Sequence, residues 1–139
     1  MNKINCLMTC SIGQNYVEAE DVNVIGVGDL MAGDIILKCG RITGTTRGMV
    51  SQVSLIIWED GVSTSEIAVV AYPNNNEFFG NKGDSGALAV RFTATNSVEA
   101  VGLLVGKSST PIWAAVTPIR AIMDRISTRL GVSLELALC

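Results

Sequence analysis

The chain has 139 residues, a length that fits one domain with a hydrophobic core of its own. It carries 10 Lys and Arg against 13 Asp and Glu, a net charge of −3, and these charges are scattered. Without a basic stripe we expect no nucleic-acid binding. No apolar run approaches the ~18 residues of a membrane span, and the first ten residues are too polar for a signal peptide, so we expect a cytoplasmic protein without membrane contact.

The chain contains four cysteines and no histidine. The cysteine spacing is not Cys-x-x-Cys, and no histidine can complete a zinc site, so we expect neither a metal nor another cofactor. Cys39 lies in an apolar run and is interpreted as a buried thiol. A disulfide between Cys6 and Cys10, or one made by Cys139, stays open.

Apolar, β-branched runs separated by glycines and turn residues predict a series of strands. Asp60-Gly61, between the second and third runs, predicts a two-residue hairpin turn. Residues 40–48, with three glycines, are interpreted as a bend. Six short antiparallel strands predict an all-β fold closed into a small barrel. The predicted strands are residues 34–41, 49–58, 65–72, 87–92, 98–105 and 112–116.

The period of the apolar pattern changes after the last predicted strand. Ile119, Ile122, Met123, Ile126 and Leu130 have the spacing of one face of a helix. The residues around this segment predict a cap at 117, a proline in the first turn at 118 and a glycine end at 131. The chain is therefore predicted to end in a C-terminal α-helix.

Gly83-Asp84-Ser85-Gly86 is a glycine turn that contains a serine. A serine hydroxyl is a weak nucleophile unless a positioned base takes its proton, and no histidine is present to do so. Lysine is the base in some serine hydrolases, but we expect the neighbouring Lys82 to point elsewhere. Taken alone, the turn indicates either a nucleophile separated from its base or a plain β-turn.

Three segments occur in an order that resembles trypsin-like serine peptidases. Residues 38–48 resemble the K-x-G-R-T-T-G-x-T-x-G segment of bacterial, fungal and plant members. Residues 83–86 resemble their nucleophile turn, and residues 101–106 resemble the strand that follows and lines the substrate cleft. With the terminal helix, the resemblance covers residues 22–131 and implies the second barrel of the chymotrypsin-like fold. We therefore divide the chain into a poorly defined segment, 1–21, and a barrel with its helix, 22–139.

The resemblance also implies roles for individual residues. Ser85 corresponds to the nucleophile, the N–H groups of Gly83 and Ser85 to the oxyanion hole, and Asp84 to a structural carboxylate that helps to fix the turn. If Phe79 lined the specificity pocket, small or apolar substrate side chains would be favoured; the alternative is a core residue. The implied substrate cleft comprises Phe79, Gly80, Leu104, Val105 and Gly106.

In these peptidases another barrel supplies the histidine base and the aspartate that orients it. We therefore expect this chain to be the nucleophile-bearing half of a trypsin-like serine endopeptidase that acts on a peptide or protein. It would be inactive alone and completed by an N-terminal barrel or a second chain. The alternative is a catalytically inactive module that binds a peptide or partner, or that forms a homo-oligomer.

Overall fold

The computed structural model describes residues 23–74, 77–94, 97–107 and 113–134. Within these residues the chain forms seven strands followed by one helix. The elements are β1 (Asn23–Val27), β2 (Ile35–Gly40), β3 (Gly44–Glu59), β4 (Val62–Ala71), β5 (Leu88–Ala94), β6 (Ser97–Lys107), β7 (Trp113–Pro118) and α1 (Ile119–Leu130).

Six of the strands close into a ring. The order is β6-β5-β2-β3-β4-β7, and β7 pairs back onto β6. Every pairing within the ring is antiparallel. These strands correspond to the six that the sequence predicts, so the all-β class with a C-terminal helix is confirmed.

The strand β1 was not predicted. It pairs in parallel with the first residues of β6, from Asn23 opposite Ser97 to Val27 opposite Ala100. The later residues of β6 pair with β7 instead. The sheet is therefore mixed rather than wholly antiparallel. The apolar pattern of β1 is only five residues long and is interrupted by Gly26. It is therefore too short to predict pairing with a parallel strand more than seventy positions away.

Two arginines bind the connection between β1 and β2, Arg91 from the ring and Arg120 from α1. Arg91 on β5 donates to the Asp29 carbonyl at 2.9 Å and forms ion pairs with Asp34 at 2.5 Å and Glu99 at 2.7 Å. Hydrogen bonds to Glu99 and Asp34 raise the pKa of Arg91. Arg120, at the start of α1, forms a further ion pair with Asp29 at 2.7 Å. The Arg91 guanidinium thus joins β5, β6 and the connection between β1 and β2.

The region predicted as a bend is mostly strand. Only residues 41–43 form the turn, and β3 begins at Gly44 and continues for 16 residues. The bend prediction for 40–48 was wrong because Gly40 and Gly48 lie in strands at close contacts, and only Gly44, with a φ of 66°, borders the turn. For example, a methyl group at Gly48 would lie 2.5 Å from the Phe79 ring. The space that Gly48 leaves is filled by Phe79.

The hairpin of β3 and β4 extends beyond the ring. The predicted turn is confirmed, because Asp60 and Gly61 both have positive φ, at 50° and 75°. β3 pairs with β2 only as far as Met49, and β4 pairs with β7 only from Ile67 onward. Residues 55–66 therefore form a two-stranded ribbon, defined here as the β3–β4 ribbon.

The main hydrophobic core lies inside the ring. A smaller cluster of Val24, Val90, Val98 and Ala100 joins β1 to β5 and β6. Burying this apolar surface is the dominant favourable contribution to folding. The main cluster comprises Ile36, Val50, Val69, Ala71, Phe79, Ala87, Ala89, Val101, Leu104, Ala114 and Val116.

The helix α1 begins one residue later than its predicted cap implies. Thr117 belongs to β7, and Pro118 occupies the N-cap without a side-chain hydrogen bond. The predicted Thr117 cap was therefore wrong, because Thr117 is a strand residue that pairs with Leu103 in the sheet. The predicted glycine end is confirmed by the left-handed Gly131, whose N–H donates to the Ser127 carbonyl. No helix of the described residues has the length and apolar character to cross a membrane.

Cys39 differs from the expected free thiol. It is buried on β2 and takes part in a disulfide bond. The other three cysteines, and with them the disulfides left open by the sequence, lie outside the described residues.

Candidate functional site

Ser85 lies in a turn that is closed mainly by its own backbone. The Asp84 N–H donates to the Asn81 carbonyl at 3.0 Å, and the Ala87 N–H donates to the Asp84 carbonyl at 3.1 Å. Gly83 and Gly86 have φ of +97° and +89°. Residues other than glycine rarely adopt such angles, so the two glycines permit the turn that presents the serine.

The Ser85 hydroxyl is exposed and reaches the last part of β6. Its Oγ donates a hydrogen bond to the Val105 carbonyl at 2.9 Å. The Gly86 N–H donates to the Leu104 carbonyl at 2.7 Å, which fixes the turn against the same strand. The hydroxyl is therefore accessible. The chain has no histidine that could take its proton.

The two amides proposed by sequence as oxyanion donors flank Asp84. Among the described residues, neither the Gly83 N–H nor the Ser85 N–H donates a hydrogen bond to a protein acceptor. Unpaired N–H groups on an exposed turn can bind an oxygen of a ligand. The turn thus combines a hydroxyl with two available donors.

The Asp84 carboxylate is the anchor of this turn. It is 2 % exposed and accepts four hydrogen bonds. Its Oδ1 accepts from the N–H groups of Ile42 at 2.7 Å and Thr43 at 3.2 Å. Its Oδ2 accepts from the Thr43 hydroxyl at 2.6 Å and the Asn81 N–H at 3.0 Å. The carboxylate therefore ties the Ser85 turn to the turn between β2 and β3.

Burial and hydrogen bonding act on the Asp84 carboxyl in opposite directions. Burial raises its pKa, whereas the hydrogen bonds from Thr43, Asn81 and Ile42 lower it, and the net pKa lies below the ordinary value of 3.8. Donors aimed at a carboxylate favour its charged form. We therefore treat Asp84 as ionised at neutral pH.

Lys38 provides the positive charge beneath the turn. It is fully buried on β2, and its Nζ lies 3.8 Å from Asp84 Oδ2. The Nζ donates to the Thr43 hydroxyl and to the Gly44 carbonyl, the latter at 2.9 Å, and it lies 5.8 Å from the centre of the Phe79 ring. Burial lowers the pKa of Lys38 from 10.5 to about 8, although the Asp84 charge opposes this change.

Gly40 completes the anchor by its lack of a side chain. A methyl group there would lie 2.3 Å from Asp84 Oδ1, too close for any real contact. The end of β2 therefore has to be glycine for the carboxylate to reach residues 42 and 43. The glycine signal was visible in the sequence, but its reason was not.

Two residues of this arrangement, Lys38 and Thr43, were not predicted as site residues. Lys38 was detectable in principle, because it shares a strand face with Ile36 two positions earlier. A lysine on a core face is almost never buried without a partner, which calls for a carboxylate inside the ring. Thr43 carried no such signal, since turn threonines are common.

The residues predicted for the substrate cleft fall into two groups. Phe79 and Leu104 are both buried in the main core cluster, and Leu104 meets the turn through its backbone. Gly80 is buried against Leu104, where a methyl group would lie 2.5 Å from Leu104 Cδ2. Val105 is exposed beside Ser85, and Gly106 follows it. Only Val105 of this set has a direct bond with Ser85.

Two surface grooves in the described part of the chain lie away from the serine. One, of about 320 Å³, lies between Leu30 and the bulged part of β3, and the other, of about 350 Å³, lies between residues 45–47 and residues 71–73 and 77–78. Neither lining includes Ser85 or Gly83. No group of three or more His, Cys, Asp or Glu suited to a metal ion occurs in the described residues.

An exposed serine on a glycine turn, beside available N–H donors and a buried carboxylate, has the composition of a serine peptidase site. The family model named Peptidase family S64 matches residues 10–136 of the chain. The match covers most of the sequence, and the chain therefore belongs to Peptidase family S64, a serine peptidase family. No curated protein matches the sequence.

Proposed function

We propose that this chain is the nucleophile-bearing half of a trypsin-like serine endopeptidase. The six-stranded ring would be the second barrel of a chymotrypsin-like fold. The observation that carries the proposal is Ser85, whose exposed hydroxyl lies on a turn that Asp84 anchors and that also carries the unbonded N–H groups of Gly83 and Ser85. Membership of a serine peptidase family supports it.

The chemistry requires one group that the chain lacks. A histidine imidazole from another barrel takes the Ser85 hydroxyl proton while Oγ bonds to the peptide carbonyl carbon. The carbonyl oxygen becomes negative and is stabilised by the Gly83 and Ser85 N–H groups. The C–N bond then breaks as the imidazolium gives its proton to the leaving amine, and water releases the acyl group by the same route.

The surface around Ser85 suits such a partner. Ile42 and Val105 are exposed apolar residues beside the turn, and Ile42 contacts the position of Gly83. A site that lacks its base is incomplete unless another unit covers this face. The proposed partner is therefore a histidine- and aspartate-bearing barrel rather than a small molecule.

The test is phosphonylation of the protein isolated from its source with its partners. A fluorophosphonate probe reacts with activated serines, and mass spectrometry identifies the labelled residue. We expect label on Ser85, none in Ser85→Ala, and full labelling in Ser63→Ala, an exposed serine of the β3–β4 ribbon. The 139-residue chain alone should react no faster than an ordinary exposed serine, because its base is missing. Peptidase activity that survives Ser85→Ala would rule the proposal out.

One observation favours a second candidate. The Ser85 hydroxyl donates to Val105 in a chain without histidine, which is a stable arrangement for a serine that never reacts. The chain would then bind a peptide or partner without cleaving it. Peptide binding that persists in Ser85→Ala, with no turnover in the native assembly, would favour this module over the peptidase.

A further inference from the structure

We infer that two copies of this chain associate through one exposed face of the β3–β4 ribbon. This face, called the ribbon face, consists of the side chains of Ile56, Trp58, Ser63 and Ser65. Ile56 and Trp58 are 69 % and 70 % exposed, although both are large and apolar. Contiguous exposed apolar side chains mark interaction surfaces. No step of the proposed catalysis uses this face.

The ribbon face continues the inner face of the ring. Residues that lie directly opposite each other in an antiparallel pair share a face. Ile67 packs against the main core cluster, so the side chains that follow it on the same face continue the direction of the core. Leu55 and Ile57, on the other face, are half-buried. The pairs along the inner face are Ser54–Ile67, Ile56–Ser65 and Trp58–Ser63.

A groove of about 320 Å³ lies at the base of the ribbon face. It runs between Leu30 and the bulged residues 51–53, and core residues Val50 and Ile67 contribute to its lining. The bulge places three residues of β3 opposite one residue of β4, and Val53 within it is exposed. None of the residues that line the groove is charged. The groove therefore suits an apolar side chain.

The ribbon face and the groove together form a self-complementary surface. Trp58 projects near the ribbon tip, and the groove begins at Ser54, four positions earlier on the same face. When two ribbon faces pack antiparallel about a two-fold axis, Ile56 of both copies lies at the axis. The Trp58 side chain of each copy then reaches the groove of the other. Such an interface closes at two copies, and a tryptophan buried in a pocket is a typical binding hot spot.

The charge distribution favours the antiparallel order. Residues 54–58 and 62–65 include no ionisable side chain, whereas Glu59 and Asp60 at the tip are both acidic. Parallel packing would bring the two acidic tips together, and antiparallel packing places them at opposite ends. A two-stranded ribbon alone is only marginally stable in water. A second ribbon would cover the exposed apolar face and supply the missing layer.

The ribbon face lies apart from Ser85. β3 begins beside the 41–43 turn that binds Asp84 and leads away from it for 16 residues. A histidine-bearing partner on the serine turn would therefore leave the ribbon face open to a second copy. The dimer does not depend on the proposed function.

The experiment is sedimentation equilibrium of the full chain from roughly 1 to 200 μM, a range in which weak interfaces dissociate. The mass should rise from 14.7 kDa toward twice that value. Trp58→Ser should raise the dissociation constant at least about 30-fold, as the loss of a tryptophan hot spot does. Leu130→Ser removes another exposed apolar side chain, on α1, and should leave the constant unchanged. Circular dichroism should show the wild-type fold in both variants.

Two charged variants test the antiparallel order. Trp58→Lys and Ser54→Asp should each remain monomeric, because each places an unpaired charge in an apolar contact. Their mixture should associate. In the mixed pair the new lysine of one copy faces the new aspartate of the other, while the second contact between Trp58 and the groove is native.

Three results would overturn the inference. A mass of 14.7 kDa at every concentration would leave the ribbon face to a different protein. An unchanged dissociation constant in Trp58→Ser would place the contact elsewhere on the surface. A mass that grows beyond two copies would show open-ended rather than two-fold association. Because the experiment involves no catalysis, a failure of phosphonylation at Ser85 would not affect its outcome.

Discussion

The buried Lys38–Asp84 ion pair carries a large desolvation cost in free energy. Removing two charges from water costs several kcal/mol per ion, and apolar residues of the same volume often pack as stably or better. Here the carboxylate gains four hydrogen bonds and holds the serine turn. We conclude that the pair is retained for the geometry of residues 81–86 rather than for stability.

Replacing Asp84 by Asn tests the anchor. The amide cannot accept from all four donors and leaves Lys38 buried without its counter-charge, so we expect a loss of about 3–5 kcal/mol in the free energy of unfolding. Urea denaturation at pH 7 measures it. Glu77→Gln, an exposed carboxyl in the same connection, should change the value by less than about 0.5 kcal/mol. Equal effects of both substitutions would show that Asp84 anchors nothing.

The pH dependence of stability tests the burial of Lys38. Its folded pKa of about 8 lies below the ordinary 10.5, so between these values the unfolded chain binds more protons than the folded chain. Stability must then rise with pH in that window, by about 2 kcal/mol between pH 7 and 10. Denaturation curves at several pH values should show this rise in the wild type and lack it in Lys38→Met. A flat wild-type curve would contradict the burial of a charged Lys38.

At the scale of elements, closure of the ring depends on the contact of β6 with β7. A methyl group at Gly102 would lie 2.5 Å from Val116 Cγ1 and 2.9 Å from the Thr117 carbonyl, whereas nothing lies within 4 Å of one at Gly106. Both glycines pair with β7. Alanine at Gly102 therefore tests the effect of crowding, and alanine at Gly106 tests the effect of losing glycine flexibility without crowding.

We expect Gly102→Ala to cost about 1–3 kcal/mol through overpacking against backbone that cannot move. Gly106→Ala should be neutral or slightly stabilising, since alanine reduces the entropy of the unfolded chain. Thermal or urea unfolding of both variants gives the comparison. If Gly102→Ala were as stable as Gly106→Ala, β6 and β7 would be less closely packed than described.

The elements that could be predicted were those with local signals. Alternating apolar runs located β2 to β7, the Asp60-Gly61 pair located the ribbon turn, and the 3.6-residue period located α1. The elements that could not be predicted depend on partners far away in the sequence. β1 is a strand because it pairs with the edge of β6, and the turn between β2 and β3 is held by a carboxylate some forty residues later. The turn at Ser85 was predicted from its motif, but the lysine beneath it needed the fold.

The whole molecule is held at its N-terminal side by Arg91. Its planar guanidinium reaches the Asp29 carbonyl and the Asp34 carboxylate, both in the connection between β1 and β2, together with Glu99 on β6. A lysine cannot bind them with two separate nitrogens. We therefore regard Arg91 as the contact that secures β1 and its connection to the ring.

Replacing Arg91 by Met should lower the free energy of unfolding by about 1–2 kcal/mol, since the pairs are partly solvated. The amides of β1 should exchange hydrogen faster, and Arg91→Lys should recover little. Arg125→Met is the control, because Arg125 is exposed on α1 and forms no ion pair with another described residue. Unchanged exchange in β1 would assign its attachment to the small apolar cluster instead.

The tip of the β3–β4 ribbon is a suitable point for attaching the molecule to a support. β3 runs away from the 41–43 turn that holds Asp84, so Asp60 and Gly61 lie at the opposite end of the strand from the serine. Exposed turn tips tolerate inserted sequence better than other positions. An affinity peptide inserted between these two residues would tether the chain to a solid support by that end. The serine end would then stay accessible to fractions of the source that contain the histidine-bearing barrel proposed above.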